Sequence, residues 1–275
     1  MARLELGRIG VVVNPGRGDA FLGAVAELEG LGYAAIWVTG GPLEDLQQLA
    51  DVVRATREMR VGSAILSVDR FPSADVAELY AELETIDPGR FIVGLGGAHG
   101  AKPLDTLATY LDELDAVPPP RRVLAALGPR MLDFVHGRAA GALPVLVTPE
   151  YTADARTRLG DETSLVVEQL VVLEADATRA RQIARGPLSF MGTLPAYQAN
   201  FRRMGFSDDE IAQRADRLVD GLIACGDIDA VAERIAQHQR AGADHVAVNV
   251  IADSPDELPI GKWRSLAATL VAEAP

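Results

Sequence analysis

The sequence is short of the residues that staple, ligate or carry positive charge. Its 275 residues include one cysteine, Cys225. That rules out an internal disulfide framework and a thiolate metal cluster, and it suits a reducing cytoplasm. The four histidines stand apart from one another and from Asp or Glu at ligand spacing, so no metal site is expected. Lys and Arg number 26 against 39 Asp and Glu, giving a net charge of -13 without acidic blocks. This balance argues against binding nucleic acid through a basic face. The pairs Arg121-Arg122 and Arg202-Arg203 are too short to form a phosphate-tracking stripe. No apolar run could span a bilayer, and the opening MARLELGRIG lacks the apolar core of a signal peptide. A cytoplasmic location without membrane contact is therefore expected. No internal repeat or low-complexity tract occurs, and the VPPP of 117–120 reads as a rigid loop.

What is present is an apolar fraction of 48%, arranged in short β-branched runs. They are RIGVVV (8–13), AAIWV (34–38), RVGSAIL (60–66), RFIVGL (90–95), RVLAAL (122–127), ALPVLV (142–147), LVVEQLVVL (165–173) and HVAVNVI (245–251). Most lack polar alternation, as strands of a parallel sheet covered by helices would. Helical patterns lie between them. Phe21, Leu22, Val25, Leu28 and Leu31 share a face, as do Val76, Leu79, Tyr80, Leu83 and Ile86. Strict alternation over eight runs, with residues 263–271 as the last helix, predicts a (β/α)8 TIM barrel of the α/β class in one domain over 1–275. A doubly wound open sheet is the competing arrangement. A helical insertion is expected at about 176–226, between the seventh and eighth strands, where it would lie over the C-terminal mouth.

Barrel enzymes place their chemistry after the strands. The first run leads to Asn14-Pro15-Gly16-Arg17-Gly18, a polar loop with glycines for tight turns. The second leads to Thr39-Gly40-Gly41, which offers no acid, base or ligand beyond a hydroxyl. After the third, Asp69 and Arg70 could pair with each other or meet a ligand. The fourth ends in GLGGAHG (94–100), which is not a dinucleotide fingerprint because His99 takes the place of the third glycine. Its glycines could let a flat ligand lie on the backbone, with His99 able to move a proton near neutrality. A hydrogen-bonded rim histidine is the plain alternative. The fifth ends in Leu127-Gly128-Pro129-Arg130-Met131. Proline there opens a helix whose free N–H groups could hold a phosphate, or simply makes a good strand-to-helix turn. The sixth ends in Thr148-Pro149-Glu150, where Thr148 reads as a helix N-cap.

Taken together, GRIGVVVN, LEGLGYAAIWV, DPGRFIVGLGGAH, PPPRRVLAALGPRML, GALPVLVTPEYTADAR and LPAYQANFRRMGFSDDEI span nearly the whole chain. In them the sequence resembles the luciferase-like flavin and deazaflavin oxidoreductases, and especially the actinobacterial branch assigned to coenzyme F420. The resemblance implies a cofactor at the barrel mouth with its phosphate near Leu127, Gly128, Pro129, Arg130 and Met131. It implies a non-proline cis peptide at Ala64-Ile65 behind the ring system, and contacts from Gly96, Gly97 and Ala98. His99 would stand close to the redox-active ring. Phe190, Met191, Tyr197, Asn200 and Phe201 would touch substrate, or else pack as core. Two departures stand out. Where many relatives carry Glu, Asp or His after the second strand, this sequence has Thr39-Gly40-Gly41, and Ala139-Ala140-Gly141 replaces an Ala-Asp-Gly.

The expected activity is hydride transfer between the deazaflavin C5 of coenzyme F420 and a small organic substrate, with His99 moving the proton. An FMN-dependent monooxygenase on the same scaffold, or a cofactor-binding protein without catalysis, are the alternatives. Relatives commonly dimerise, and the apolar residues of the second and third helices could cover a homodimer face.

Overall fold

The computed structural model describes residues 3–252 and 258–271. In chain order the first half runs β1 (Ile9–Val13), α1 (Gly18–Gly30), β2 (Ala35–Thr39), α2 (Gln47–Ala55), β3 (Arg60–Ala64), β4 (Leu66–Ser67), α3 (Ser73–Ile86), β5 (Phe91–Gly96) and α4 (Pro103–Glu113). It continues with β6 (Arg122–Leu124), α5 (Pro129–Val135), β7 (Gly141–Ala142), α6 (Pro149–Leu159) and β8 (Ser164–Leu173). Then come α7 (Ala177–Met191), α8 (Pro195–Arg203), α9 (Asp208–Gln213), α10 (Asp216–Leu222), β9 (Ala224–Gly226), α11 (Ile228–Arg240), β10 (His245–Val250) and α12 (Ile260–Leu270).

Eight parallel strands close a barrel, with β4 prolonging β3 and β9 adding to the end of β8. The closure is set by β10, which pairs with β1 on one side and β8 on the other. An open doubly wound sheet would leave those edges unpaired, so that alternative is excluded. The sixth run is shorter as a strand than its apolar pattern suggests. Pro144 cannot donate to a ladder and Leu146 adopts φ 54, so regular pairing stops at Ala142 and resumes as a single bridge from Val145 to Glu168.

Side-chain alternation divides the core in three. Odd-facing residues such as Val11, Val13, Val167 and Val171 meet the helices outside the barrel. Inward-facing Val12, Trp37, Ile92, Val123, Leu143, Val166 and Ala247 plug the lumen, together with Leu6. Gly62 is glycine because its missing side chain makes room for the Trp37 indole, whose ring would lie 2.4 Å from a methyl there. A third cluster packs Leu146, Leu170 and Val172 beneath α7, α8 and α10, through Ala184, Leu188, Phe201 and Leu218. These helices cover one side of the barrel's C-terminal mouth.

The apolar residues of α2 and α3 are spent on this chain's own core: Leu49, Val52, Val53, Val76, Leu79 and Leu83 are buried within it. Among the described residues Ile86 and Phe190 are the exposed large hydrophobics.

Candidate active site

The layer above the apolar plug is polar, and the strand period dictates its membership. Two residues beyond Val166 on β8 comes Glu168, and two beyond Ala247 on β10 comes Asn249. Because Ala247 pairs with Glu168, the asparagine reaches diagonally, and its Nδ2 donates to Glu168 Oε1 at 2.7 Å. Across the mouth Thr39 Oγ1 donates to Asn14 Oδ1 at 2.8 Å, tying the ends of β1 and β2. Glu168 is buried, and burial pushes its carboxyl up to about 7 although the Asn249 bond pulls the other way. The ring of Tyr197, on α8, also lies close to this carboxylate. Burial raises the Tyr197 phenol above its ordinary range, and the Glu168 charge adds to the effect. Sequence reading passed over Glu168. Its signal is a lone carboxylate inside LVVEQLVVL, a run otherwise apolar enough to be buried on both faces. It places a carboxylate at the mouth, whereas Thr39-Gly40-Gly41 carry none.

The third and fourth strand ends carry the expected residues in a tight arrangement. The Ala64-Ile65 bond is cis, where the resemblance places it. Ser63 Oγ donates to the Gly94 carbonyl at 3.0 Å and accepts from the Gly94 N–H at 2.8 Å, replacing the strand ladder there. A methyl at Gly96 would lie 2.8 Å from Ala125 Cβ and 3.3 Å from Ile65 Cδ1. Protein side chains therefore take up that face of the glycine, and a flat ligand would meet Ile65 rather than bare backbone. Gly97 has φ +77, a conformation that suits glycine, and it and Ala98 carry the chain to the rim. His99 is exposed there, with its Nδ1 2.8 Å from Asp69 Oδ2 and its backbone N–H donating to the same oxygen. Asp69 thus pairs with His99 and not with Arg70. The Arg70 guanidinium instead donates to the carbonyls of Gly41 and Leu43.

The β6–α5 turn is gripped from two sides. Beneath it Tyr151 donates to the carbonyls of Ala126 and Leu127, at 3.1 and 2.9 Å. Above it lies the Arg203 guanidinium of α8, which would sit 3.2 Å from a methyl on Gly128. With φ -93 and ψ 160 the glycine needs no special conformation; its value is the space it leaves for Arg203. The Met131 N–H is not free, since it donates to the Gly128 carbonyl at 3.0 Å. Of the amides expected to lie open, those of Met131 and Leu132 are thus taken by the Gly128 carbonyl, and the Arg130 side chain is exposed. The cation beside the turn is Arg203, which forms no ion pair among the described residues. Its Nη2 donates only a long bond, 3.4 Å, to Asn200 Oδ1. Asn200 is itself buried, and its Nδ2 has no hydrogen-bond partner. A buried amide left unpaired is costly and calls for a partner. Both side chains line a cleft of about 1120 Å³ that also carries the carboxylates Asp133, Glu150 and Asp154 and runs beside Leu127, Pro129 and Tyr151.

The expected substrate contacts separate. Phe201 is fully buried against the α7–α10 cluster and packs on Tyr197, so it is core. Phe190 is exposed on α7, Met191 and Tyr197 are half-buried, and Asn200 faces the cleft. Thr148 caps α6, accepting from the Tyr151 N–H at 3.2 Å. His238 and His245 are core residues: His238 bonds Gln169 and Thr152, and His245 bonds Trp37 and the Gly7 carbonyl. Among the described residues no group of three His, Cys, Asp or Glu could hold a metal, and no helix is long and apolar enough to cross a membrane.

Comparison with known proteins gives the class of this fold. The family model described as luciferase-like monooxygenase matches residues 8–108, from the start of β1 into α4. No curated protein matches the sequence. Among solved structures, an F420-dependent secondary alcohol dehydrogenase in complex with an F420-acetone adduct superposes with a TM-score of 0.73 at 14% identity, covering 96% of this chain and 99% of that one. The coenzyme F420-dependent tetrahydromethanopterin reductase from Methanopyrus kandleri gives 0.74 at 16% identity, covering 98% and 99%. The oxygenating constituent of 3,6-diketocamphane monooxygenase from Pseudomonas putida, in complex with FMN, gives 0.66 at 13%, covering 98% and 97%. At these identities the likeness is one of fold.

Proposed function

We propose that this protein is an oxidoreductase that holds coenzyme F420 at the barrel mouth and acts on a small organic substrate. The observation that carries the reading is the Arg203–Asn200 pair beside Gly128. The Arg203 guanidinium, without a carboxylate partner, lines the cleft, and the unpaired Nδ2 of Asn200 is buried immediately behind it, a pair of donors suited to a phosphate once the amide turns outward. When bound, the deazaflavin supplies hydride chemistry at its C5. This chain's residues do the rest. Arg203 and Asn200 hold the phosphate, and the Ile65 side chain lies where the tricyclic ring would pack. The polar layer of Asn14, Thr39, Asn249 and Glu168 lies at the floor of the mouth. His99, oriented by Asp69, exchanges protons with solvent at the rim. Packed side chains such as Ile65 and Glu168 orient a ligand with little reorganisation during reaction.

FMN carries the same tricycle and a phosphate, so the Arg203 site suits both cofactors. The match of residues 8–108 to the luciferase-like monooxygenase model favours FMN as the second reading. Oxygen uptake with reduced FMN, absent with reduced F420, would select it. A buried carboxylate at the mouth supports an enzyme over a cofactor-binding scaffold.

Titration of the purified protein with F420 and with FMN, followed by fluorescence, tests the proposal. Binding of F420 is expected, and binding of neither cofactor would refute it. Arg203→Ala is expected to weaken F420 binding by roughly 10- to 100-fold, the loss of a charged hydrogen bond. An unchanged affinity would remove Arg203 from the site. Homodimerisation remains part of the proposal on resemblance alone. Light scattering should give twice the chain mass of 29.2 kDa, and a monomer would contradict it.

A further inference from the structure

We propose that Glu168 is the catalytic acid of this mouth, giving the proton to the substrate on reduction and taking it back in the reverse direction. The role rests on the redox reading above and names a group that the sequence resemblance did not supply. Four observations converge on it. The strand period aims Glu168 inward, directly above the apolar plug formed by Val166 and its neighbours. Only one of its oxygens is engaged: Oε1 accepts from Asn249, the one side-chain hydrogen bond Glu168 makes among the described residues. No cation pairs with it among the described residues, and the titratable group facing it is the Tyr197 phenol. Val145, bridged to it from the β7 segment, brings no charge.

The environment also sets the protonation state the role requires. Burial holds the carboxyl up to about 7, so near neutrality it is available both as acid and as base. His99 is placed differently: its side chain is 67% exposed and its Nδ1 is turned to Asp69. The balance of the step is simple. Reduction of a substrate carbonyl takes one hydride at carbon, from a reduced deazaflavin, and one proton at oxygen. The O–H of Glu168 breaks as the substrate O–H forms, leaving a carboxylate on which Asn249 donates. A proton from solvent then restores the acid. In the oxidative direction the carboxylate accepts the alcohol proton as the hydride leaves.

The test combines three readouts on wild type and Glu168→Gln. First, protein labelled at the glutamate side-chain carboxyl carbon is titrated by NMR without cofactor. One resonance with a midpoint close to neutrality, missing from the variant and shifted by adding oxidised F420, is expected. Second, F420 affinity is measured for both proteins, so that a loss of turnover is separated from a loss of binding. Third, oxidation of reduced F420 by 2-cyclohexen-1-one, a probe with both an activated C=C and a carbonyl, is followed across pH. The variant should lose about 100-fold or more in kcat, with KM little changed, and should lose the limb of the pH profile near neutrality. A Glu168 resonance titrating in the ordinary carboxylate range overturns the proposal, as does a variant that turns over like wild type. If the probe is not reduced by wild type, the NMR titration and its response to F420 decide. If wild type binds neither F420 nor FMN, the redox reading falls, and this role falls with it. F420 binding with undiminished Glu168→Gln turnover removes Glu168 alone.

Discussion

Acidification from about pH 7 to about pH 4 should remove roughly 6 kcal/mol of folding free energy through His238 and His245 alone. Both imidazoles are fully buried, and burial lowers each to about 4. In the unfolded chain they would titrate at about 6.5. Below that pH the unfolded state takes up protons that the folded state refuses, so stability is present above about 6.5 and is lost as the pH falls toward 4. The hydrogen bonds explain the refusal. His245 Nδ1 donates to the Gly7 carbonyl, which leaves Nε2 to accept from the Trp37 indole N–H at 3.1 Å. Protonating Nε2 would set two N–H groups against each other in the plugged lumen.

Glu168 works in the opposite sense. Its folded value is raised, so the stability it contributes is complete below the ordinary carboxylate range and is lost as the pH rises through about 7. Over the same interval it offsets about 3 kcal/mol of the histidine loss. Urea unfolding at about pH 7 and about pH 5 should therefore show a modest acid loss in wild type and a loss about twice as large in Glu168→Gln. Equal pH dependence in the two proteins would contradict the burial of that carboxyl.

Gly94→Ala should cost more than about 3 kcal/mol, an overpacking penalty at the high end because backbone blocks the new methyl. The added carbon would lie 1.9 Å from the Ser63 carbonyl oxygen, where β3 and β5 are joined through the Ser63 hydroxyl. Neither strand can yield without displacing Ile65 and the floor of the mouth. Gly128→Ala is the contrasting case. Its methyl meets the tip of a flexible arginine at 3.2 Å, so it should unfold at nearly the wild-type temperature. Calorimetry of the two variants decides the comparison, and a wild-type melting temperature for Gly94→Ala would show that the strand junction is looser than drawn. Ser63→Ala, which keeps the space and removes two hydrogen bonds, should fall between them, about 1–2 kcal/mol less stable than wild type.

The barrel was legible in the sequence because eight apolar runs alternate with amphipathic patterns, and the packing follows those periods. Strand starts were legible too, but three ends were not: the third run is split at the cis Ala64-Ile65 bond, the fifth stops as a strand at Leu124, and Pro144 and the left-handed Leu146 cut the sixth short. The candidate site was legible in its loops and hidden in its strands. Loop glycines, Pro129 and His99 announce themselves by residue type. Glu168 does not, because a run buried on both faces gives no clue as to which face a single charge will take. That choice is made by barrel closure, which turns alternate β8 residues toward the lumen. Arg203 was hidden for a different reason. Its partner in the fold, Gly128, is 75 positions away, and nothing local to Arg202-Arg203 says that the second arginine lies over the β6–α5 turn. The turn that looked open for a ligand already carries that guanidinium, so the cation is part of the protein's own structure.

The most direct test is a crystal structure of the protein soaked with coenzyme F420. Density for the phosphate is expected within hydrogen-bond distance of Arg203 and Asn200 beside Gly128, with the ring system over Ile65 and above Glu168. Phosphate density away from Arg203, or a ring outside the mouth of the barrel, would contradict the account.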